Sequence, residues 1–310
     1  MTTTSTAGHA SNPDRTDAGG PPTERVLLTG ATGNVGRPLI DLLGARGVAV
    51  RAVSRHRIAA PSAPHLDVVE GDPSHPETLA SALDGVTSLF LNPRSIGGRA
   101  AELLALAKVR GVRRAVALSA INVDDDPTRQ PSRYRGDLNR EVEDAVTSSG
   151  LEWVSLRPSV FATNTIGLWA AQIQHGDVVR GPYAASVSAP IDERDIAGVA
   201  AHALVTDDLL GQRLDLTGPQ SLTPPDMVAA IADAIGRNLH YQEIPPQAAK
   251  THMVDAGFPA QFAEAFLSMQ AATVGRPALL TNEVEKILGR PALTYARWAV
   301  DHTGVFRAPA

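Results

Sequence analysis

The chain has 310 residues, no cysteine and a formal net charge of −5, and its hydrophobic and charged fractions are those of an ordinary globular protein. The absence of cysteine excludes disulfides, thiol nucleophiles and cysteine-ligated metals. The acidic balance lacks the basic stripe expected of a nucleic-acid-binding protein, and no apolar run is long enough to span a bilayer. These features predict a cytoplasmic protein with neither nucleic acid nor membrane as a partner.

The first segment, 1–24, is rich in Thr, Ser, Gly and Pro and lacks the apolar stretch of a signal peptide. It is predicted to be a disordered extension. From Arg25 onward short apolar strands alternate with helical segments. Strands are predicted at 26–28, 48–53, 67–70, 87–91, 112–118 and 151–156, and helices at 38–43, 76–83, 100–109 and 138–148. This alternation predicts a Rossmann-like, doubly wound parallel sheet covered by helices on both faces.

The alternation breaks after Pro158. Helical segments are predicted at 194–204, 225–235 and 259–272, separated by short strands near Val178, Leu214 and Tyr241. The pattern predicts two parts: a first domain over 25–158 and a smaller C-terminal α/β lobe over 159–310 that is interleaved with the sheet.

A glycine-rich turn links the first strand to the first helix, and it reads Thr-Gly-Ala-Thr-Gly-Asn-Val-Gly over 29–36. Gly30 permits the tight turn, Gly33 lets a pyrophosphate approach the backbone, and Gly36 allows close packing of helix on strand. The helix N-terminus then faces the phosphates. The turn predicts a dinucleotide site made of Gly30, Thr32, Gly33, Asn34, Val35 and Gly36, the alternative being a tight structural turn.

The second strand indicates which dinucleotide is bound. Between Leu42 and Leu66 there is no Asp or Glu, and basic residues follow at Arg51, Arg55, His56 and Arg57. A carboxylate there would select NAD through the ribose hydroxyls, whereas a guanidinium binds the 2′-phosphate of NADP. NADPH is therefore the predicted coenzyme, with Arg55 as the first choice for the phosphate and Arg51 as the second. A solvated basic loop is the alternative.

The remaining coenzyme contacts are predicted at the carboxyl ends of the later strands, where ligands bind in open α/β sheets. Asp72 is assigned to the adenine amine, and Asn92 with Pro93 to the adenosine ribose. Ordinary turn chemistry also explains Asp-Pro and Asn-Pro. The nicotinamide is assigned to Ser119, Pro158 and Phe161.

These residues together resemble the NmrA-like branch of the atypical short-chain dehydrogenase/reductases. The resemblance covers roughly 25–219. It includes the glycine turn and the segments 50–55, 71–72, 117–119, 141–146, 149–151, 156–158 and 195–197, with Phe161 and Asn164. It implies a Rossmann-like fold with a small substrate lobe. Members include NADPH-dependent quinone and azo reductases, isoflavone-reductase-like enzymes, and coenzyme-sensing regulators without turnover.

The catalytic pair of the wider superfamily, a Tyr with a Lys four residues later, is absent. The residues four positions after Tyr134, Tyr183, Tyr241 and Tyr295 are Leu138, Val187, Pro245 and Ala299. Ser119 remains as a candidate to bind the substrate oxygen or the coenzyme carboxamide. Tyr134 remains as a proton donor or, alternatively, a surface tyrosine. Trp169, Tyr183, Phe262 and Phe266 are candidates to line an apolar substrate pocket, and no metal site is predicted.

The sequence therefore predicts an NADPH-dependent oxidoreductase that acts on a small conjugated or aromatic acceptor of the quinone, azo or enone type. Such an acceptor spreads the incoming negative charge and depends less on a general acid. The alternative is a non-catalytic, redox-sensing NADP(H)-binding protein that signals through a protein partner. A nucleotide-sugar epimerase or dehydratase is disfavoured, because those enzymes also need the Tyr and Lys.

Overall fold

The computed structural model describes residues 24–55 and 64–307. Within them, seven parallel strands form one sheet in the order β3-β2-β1-β4-β5-β6-β8, and β7 and β9 form a small parallel pair. The strands are β1 (Arg25–Leu28), β2 (Ala49–Ser54), β3 (Leu66–Glu70), β4 (Ser88–Leu91), β5 (Arg114–Leu118), β6 (Glu152–Pro158), β7 (Val178–Gly181), β8 (Gln212–Leu216) and β9 (His240–Glu243). The predicted extension lies outside the described residues except for Glu24.

The helices lie on both faces of the large sheet and in the C-terminal part. They are α1 (Gly36–Ala45), α2 (Pro93–Ile96), α3 (Ala100–Val109), α4 (Asn139–Ser148), α5 (Asn164–His175), α6 (Glu193–Val205), α7 (Pro224–Ile235), α8 (Pro246–Asp255), α9 (Ala260–Thr273), α10 (Glu283–Leu288), α11 (Tyr295–Asp301) and α12 (Thr303–Phe306). The prediction of a helix at 76–83 is wrong in its second half. A 3-10 helix spans Pro76–Leu79 and only turns follow it.

The sheet is buried on both sides because its central strands are continuously apolar. Every residue of β4 and β5 is buried, as expected for parallel strands covered by helices. Successive residues of β1 point to opposite faces: Val26 and Leu28 pack with α1 and α6, whereas Leu27 packs with α3 and α4. The predicted doubly wound Rossmann-like fold is confirmed.

The C-terminal part contributes to this sheet as well as to its own cluster. β8 pairs with β6 and extends the sheet at its edge, and α6 covers the face that α1 also covers. A separate apolar cluster joins α5, α7, α11 and α12. The boundary at residue 158 stays a prediction, although the chain beyond it is interleaved with the sheet. Among the described helices, none has the length and apolar character needed to cross a membrane.

Candidate functional site

The glycine turn is held in a conformation that only glycine fits. Gly30 has a φ of +72°, and a Cβ added there would lie 2.6 Å from Asn92 Nδ2. At Gly36 a Cβ would lie 2.3 Å from the Gly30 carbonyl oxygen and 2.8 Å from Ala31 Cα. Because these last neighbours are backbone atoms, no side-chain movement could relieve the clash. Gly30 therefore lets the turn pack against Asn92, which follows β4, and Gly36 lets the start of α1 pack against the turn.

The start of α1 has the character of an anion-binding site. Its first turn carries no acidic residue, and no side chain caps it. Within the described chain, the backbone N–H groups of Asn34 and Val35 have no acceptor. A Cβ at Gly33 would meet the Gly30 carbonyl oxygen at 3.2 Å but otherwise nothing closer than 4.0 Å. Free N–H groups, the positive end of a helix and an open approach fit a pyrophosphate.

A cavity of about 500 Å³ lies at the carboxyl ends of β2 and β3. It is lined by Arg55, Glu70, Gly71, Asp72 and Thr78. The parallel register places Glu70 beside Ser54, so an acidic side chain lies next to exposed Arg55. His56 and Arg57 lie outside the described residues. The cavity suits an adenosine with a 2′ substituent, and the carboxylates temper the positive charge that the sequence predicts there.

Asp72 is occupied by its own turn. Its Oδ1 accepts hydrogen bonds from the backbone N–H of Ser74 at 2.9 Å and from the Ser74 hydroxyl at 2.7 Å. The Ser74 hydroxyl lowers the pKa of the Asp72 carboxyl. The carboxylate therefore stabilises the rim of the cavity, and its assignment to the adenine amine stays a prediction.

Arg51 does not lie with the other predicted coenzyme residues. It is in the middle of β2, and its guanidinium donates to Asp67 Oδ2 at 3.0 Å and to the carbonyl oxygens of Ala82 and Asp84 at 2.7 and 3.1 Å. These bonds engage its Nε and Nη1, and its assignment as the second choice for the phosphate stays a prediction.

Asn92 and Pro93 begin α2 directly after β4. The Asn92 side chain caps this helix by accepting a hydrogen bond from the Arg94 N–H, and its backbone N–H donates to Thr29 Oγ1 at 2.8 Å. On the other side of the turn, Asn34 Nδ2 donates to Thr163 Oγ1 at 3.1 Å. The glycine turn is thus tied both to β4 and to the segment that precedes α5.

Ser119 follows β5 and is buried. Its backbone N–H donates to the Leu156 carbonyl at 2.7 Å, and its Oγ makes no hydrogen bond of normal geometry to a described residue. It does approach the Glu143 carboxylate, closely enough for the serine hydroxyl to help lower the pKa of that carboxyl. A ligand would complete the hydrogen bonding of this buried hydroxyl. Ser119 therefore fits the prediction that it faces a substrate oxygen or a carboxamide.

Glu143, a residue of α4 close to Ser119, is not among the site residues predicted from the sequence. Its carboxylate accepts hydrogen bonds from Ser155 Oγ at 2.6 Å, from Arg157 Nε at 3.0 Å and from Arg213 Nε at 2.9 Å. Burial opposes its ionisation, but these donors, led by Arg157, outweigh burial and lower the pKa of Glu143 to about 2. A permanently ionised carboxylate cannot supply a proton near neutral pH.

Tyr134 lies in a 3-10 helix, Pro131–Arg135, and packs against apolar side chains of α8 and α9. No lysine accompanies it: Lys108 donates to the Ser149 carbonyl, Lys250 pairs with Glu264, and Lys286 pairs with Glu283. The three lysines of the chain are thus engaged by partners other than a tyrosine.

The segment after β6 lies beside this region. Pro158 is the buried last residue of β6, and its carbonyl accepts the Ile121 N–H at 2.9 Å. Phe161 is half-buried, forms an isolated bridge with Ile191 and packs on the cluster beneath α1 and α6. Their contact with a nicotinamide stays a prediction.

Of the four predicted pocket aromatics, Phe262 and Phe266 lie together with Tyr134. Trp169 does not: it packs edge-on against Tyr241, with 6.3 Å between ring centroids, in the C-terminal apolar cluster. Tyr183 lies in a turn with a φ of +48°, a value that no other non-glycine residue of the described chain shares, and such strain occurs often at functional sites. Within the described residues, no group of His, Asp and Glu side chains is arranged to hold a metal ion.

The chain is similar to several known NAD(P)H-dependent reductases. The family model described as NAD(P)H-binding matches residues 30–207. The chain is 32% identical over 285 residues to the (4-alkanoyl-5-oxo-2,5-dihydrofuran-3-yl)methyl phosphate reductase of Streptomyces griseus, covering 91% of this chain and 99% of that protein. It is 32% identical to the NAD(P)H azoreductase of Xenophilus azovorans, again over 91% and 99%. The fold matches an NADPH-dependent quinone oxidoreductase from Escherichia coli complexed with NADPH, with a TM-score of 0.76, 22% identity and coverage of 89% and 99%.

Proposed function

We propose that this chain, which belongs to the NAD(P)H-binding family and is an NAD(P)H-dependent oxidoreductase, reduces small conjugated acceptors with NADPH. The observation that supports the acceptor class is the absence from the sequence of a Tyr with a Lys four residues later, together with the buried Ser119 hydroxyl, which forms no hydrogen bond of normal geometry with a described residue. The names of the two relatives, one an azo reductase and one a reductase of an unsaturated lactone, support the same class.

The chemistry explains why conjugation matters. NADPH supplies a hydride to one end of a quinone, azo or enone system, and a proton from water completes the other end, leaving NADP⁺ and the reduced acceptor. An isolated ketone concentrates the negative charge on one oxygen, and a missing general acid there costs on the order of 10²–10⁴-fold in rate. Ser119 would donate a hydrogen bond to the acceptor oxygen or nitrogen as charge develops.

We assign the coenzyme to the carboxyl edge of the large sheet, where the glycine turn follows β1. The N–H groups at the start of α1 hold the pyrophosphate, and the cavity beside Arg55 holds the adenosine with its 2′-phosphate. Asp72, Asn92 and Pro93 border the adenosine. Pro158, Phe161 and Ser119 would border the nicotinamide.

The Arg55→Ala variant is expected to raise the Kd for NADPH relative to that for NADH by about tenfold, because it removes one charge-assisted contact to the 2′-phosphate. Glu70→Gln should shift the same ratio in the opposite direction by a few-fold, since Glu70 lines the same cavity. Equilibrium titration with both coenzymes measures the ratio. Arg46→Ala removes an exposed arginine at the end of α1 and serves as the control. An unchanged ratio in Arg55→Ala would rule out the assignment.

Steady-state oxidation of NADPH is expected with a quinone, an azo dye and an enone, and an unactivated ketone should react at least about 100-fold more slowly. Ser119→Ala should lower kcat for the quinone by about 100-fold while the Kd for NADPH stays within a few-fold, because the lost bond forms as charge develops. Tyr134→Phe separates the two candidate proton sources. A large loss of kcat in Tyr134→Phe would make that tyrosine the donor in place of water.

The regulatory alternative makes a different prediction from the same assay. Tight NADPH binding with no oxidation by any acceptor would contradict the enzyme proposal and favour a redox sensor that acts through a protein partner. The absence of a Tyr–Lys pair from the sequence supports this alternative.

A further inference from the structure

A row of aromatic rings lies where α8 and α9 pack on the segment that follows β5. We call it the aromatic cluster; its members are Tyr134, Phe258, Phe262 and Phe266, with Met253 and Leu168. The rings of Phe258 and Phe262 are stacked with centroids 5.1 Å apart, and those of Phe262 and Phe266 are nearly parallel at 6.2 Å. Phe262 is buried and stacks with both neighbours, so the cluster offers a ligand only the partly exposed rings of Phe258 and Phe266. Their aromatic surface suits a conjugated molecule.

One guanidinium stands over this surface. The Arg135 Cζ lies 5.8 Å from the centroid of Phe258 and 5.7 Å from that of Phe262. Such a position holds an arginine against the rings through a cation–π interaction. The guanidinium has five N–H donors, and the ring contact leaves them available for an anion.

The neighbouring arginines are already neutralised. Arg133 pairs with Glu141 at 2.5 Å, Arg94 with Asp137 at 2.6 Å, and Arg140 with Asp124 at 3.3 Å. Within the part of the chain that the structure describes, Arg135 has no carboxylate partner. Arg135 and Arg129 are therefore the exposed arginines of this segment that form no ion pair with a described residue, and of these two Arg135 lies over the rings.

The aromatic cluster lies at the same edge of the sheet as Ser119. Tyr134 and Arg135 belong to the segment that leaves the carboxyl end of β5, and Asn139 Nδ2 ties this segment to α4 through Ser132 Oγ at 3.3 Å. Leu168 lies about 6 Å along α5 from its first residue, and α5 begins beside Thr163, which is bonded to the glycine turn. An acceptor lying on the rings would approach the predicted hydride position from this side.

We propose that the acceptor is a flat conjugated molecule that carries an anionic group, such as a sulfonate, phosphate or carboxylate. This rests on the proposed function. The conjugated part packs against the partly exposed rings of Phe258 and Phe266, and the anion pairs with the Arg135 guanidinium. An anion also binds most strongly to a planar fork of donors, which lysine could not supply.

Three azo dyes with one scaffold test the proposal: methyl orange with a sulfonate, para-methyl red with a carboxylate, and the uncharged parent dimethylaminoazobenzene. In the wild-type protein with NADPH, kcat/KM for both anionic dyes should exceed that for the parent. Arg135→Gln should lower the anionic-to-uncharged ratio about fivefold, the scale of one partly exposed ion pair, mainly through KM. Arg135→Lys should recover only part of it. Arg129→Gln, an exposed arginine on the same segment without a ring contact, should leave the ratio unchanged.

The outcomes separate this proposal from the function on which it rests. Turnover of all three dyes without an anionic preference, or an equal effect of Arg135→Gln and Arg129→Gln, would overturn the anion site and leave the reductase intact. If no dye is reduced, the reductase proposal fails, and equilibrium titration of the NADPH-bound protein with the same dyes still decides the anion site. Equal or absent binding of methyl orange and the parent dye would then contradict it.

Discussion

Replacing Gly36 by alanine is expected to raise the Kd for NADPH by at least about 100-fold. The added Cβ would lie 2.3 Å from the Gly30 carbonyl oxygen and 2.8 Å from two atoms of the Ala31 backbone. Because the clash is with backbone on all sides, α1 must move away from the turn, and the N–H groups of Asn34 and Val35 then lose their alignment. Titration with NADPH measures the loss.

The same substitution should also lower the free energy of unfolding by about 1–3 kcal/mol, the usual cost of overpacking. Gly304→Ala is the matched control, because no atom lies within 4 Å of a Cβ there and its φ is not in the left-handed region. Normal NADPH affinity in Gly36→Ala would show that the coenzyme does not depend on this turn.

Replacing Glu143 by glutamine is expected to lower the free energy of unfolding by about 3 kcal/mol. The substitution removes a buried negative charge while leaving Arg157 and Arg213 in place, and breaking a buried pair from one side costs this much. Arg157 keeps Asp124 as a partner at 2.9 Å, which holds the loss at the lower end of the range. Urea denaturation measures it.

A surface ion pair gives the control for Glu143. Glu102→Gln breaks the pair between Arg99 and Glu102, both of which are about half exposed, and should cost less than about 1 kcal/mol. Equal losses in the two variants would mean that the Glu143 cluster contributes no more than a surface pair.

The pH dependence of stability gives a second readout for Glu143. Its pKa in the folded protein, about 2, lies below the ordinary value of 4.5. The stabilisation is therefore fully present above the ordinary pKa and is lost as the pH falls through the folded pKa. The difference in unfolding free energy between wild type and Glu143→Gln should shrink as the pH falls from about 5 towards 2.

The parts that the sequence predicted well are those governed by short-range patterns. Apolar runs gave every strand of the large sheet, and the glycine spacing located the turn. The helix predicted at 76–83 failed because Pro76 and the apolar Leu79 and Leu83 suggest a helical face, whereas the chain forms one 3-10 turn and then bends. Leu79 and Leu83 are nevertheless buried. The spacing of these apolar residues therefore predicted their burial correctly but did not predict the secondary structure.

Long-range contacts account for what the sequence did not predict. Arg51 was the second choice for the phosphate because it is basic and near a strand end, and the sequence did not predict its hydrogen bonds to partners at 67, 82 and 84. Glu143 was missed because Arg213, one of its partners, lies 70 residues further along the chain. A signal existed: Ser155 and Arg157 are polar at alternate positions within the apolar stretch that follows Glu152 in β6, which marks a polar patch under one face.

The helix α6 and the strand β8 complete the large sheet, and both are made late in synthesis. The Ser88 hydroxyl donates to the Leu204 carbonyl across 116 residues, and β6 gains its outer neighbour only when β8 has been made. A nascent chain that ends at residue 158 holds six strands but leaves one apolar face largely without its helix. Such a chain exposes an apolar sheet face and is therefore prone to aggregation until α6 and β8 have been made.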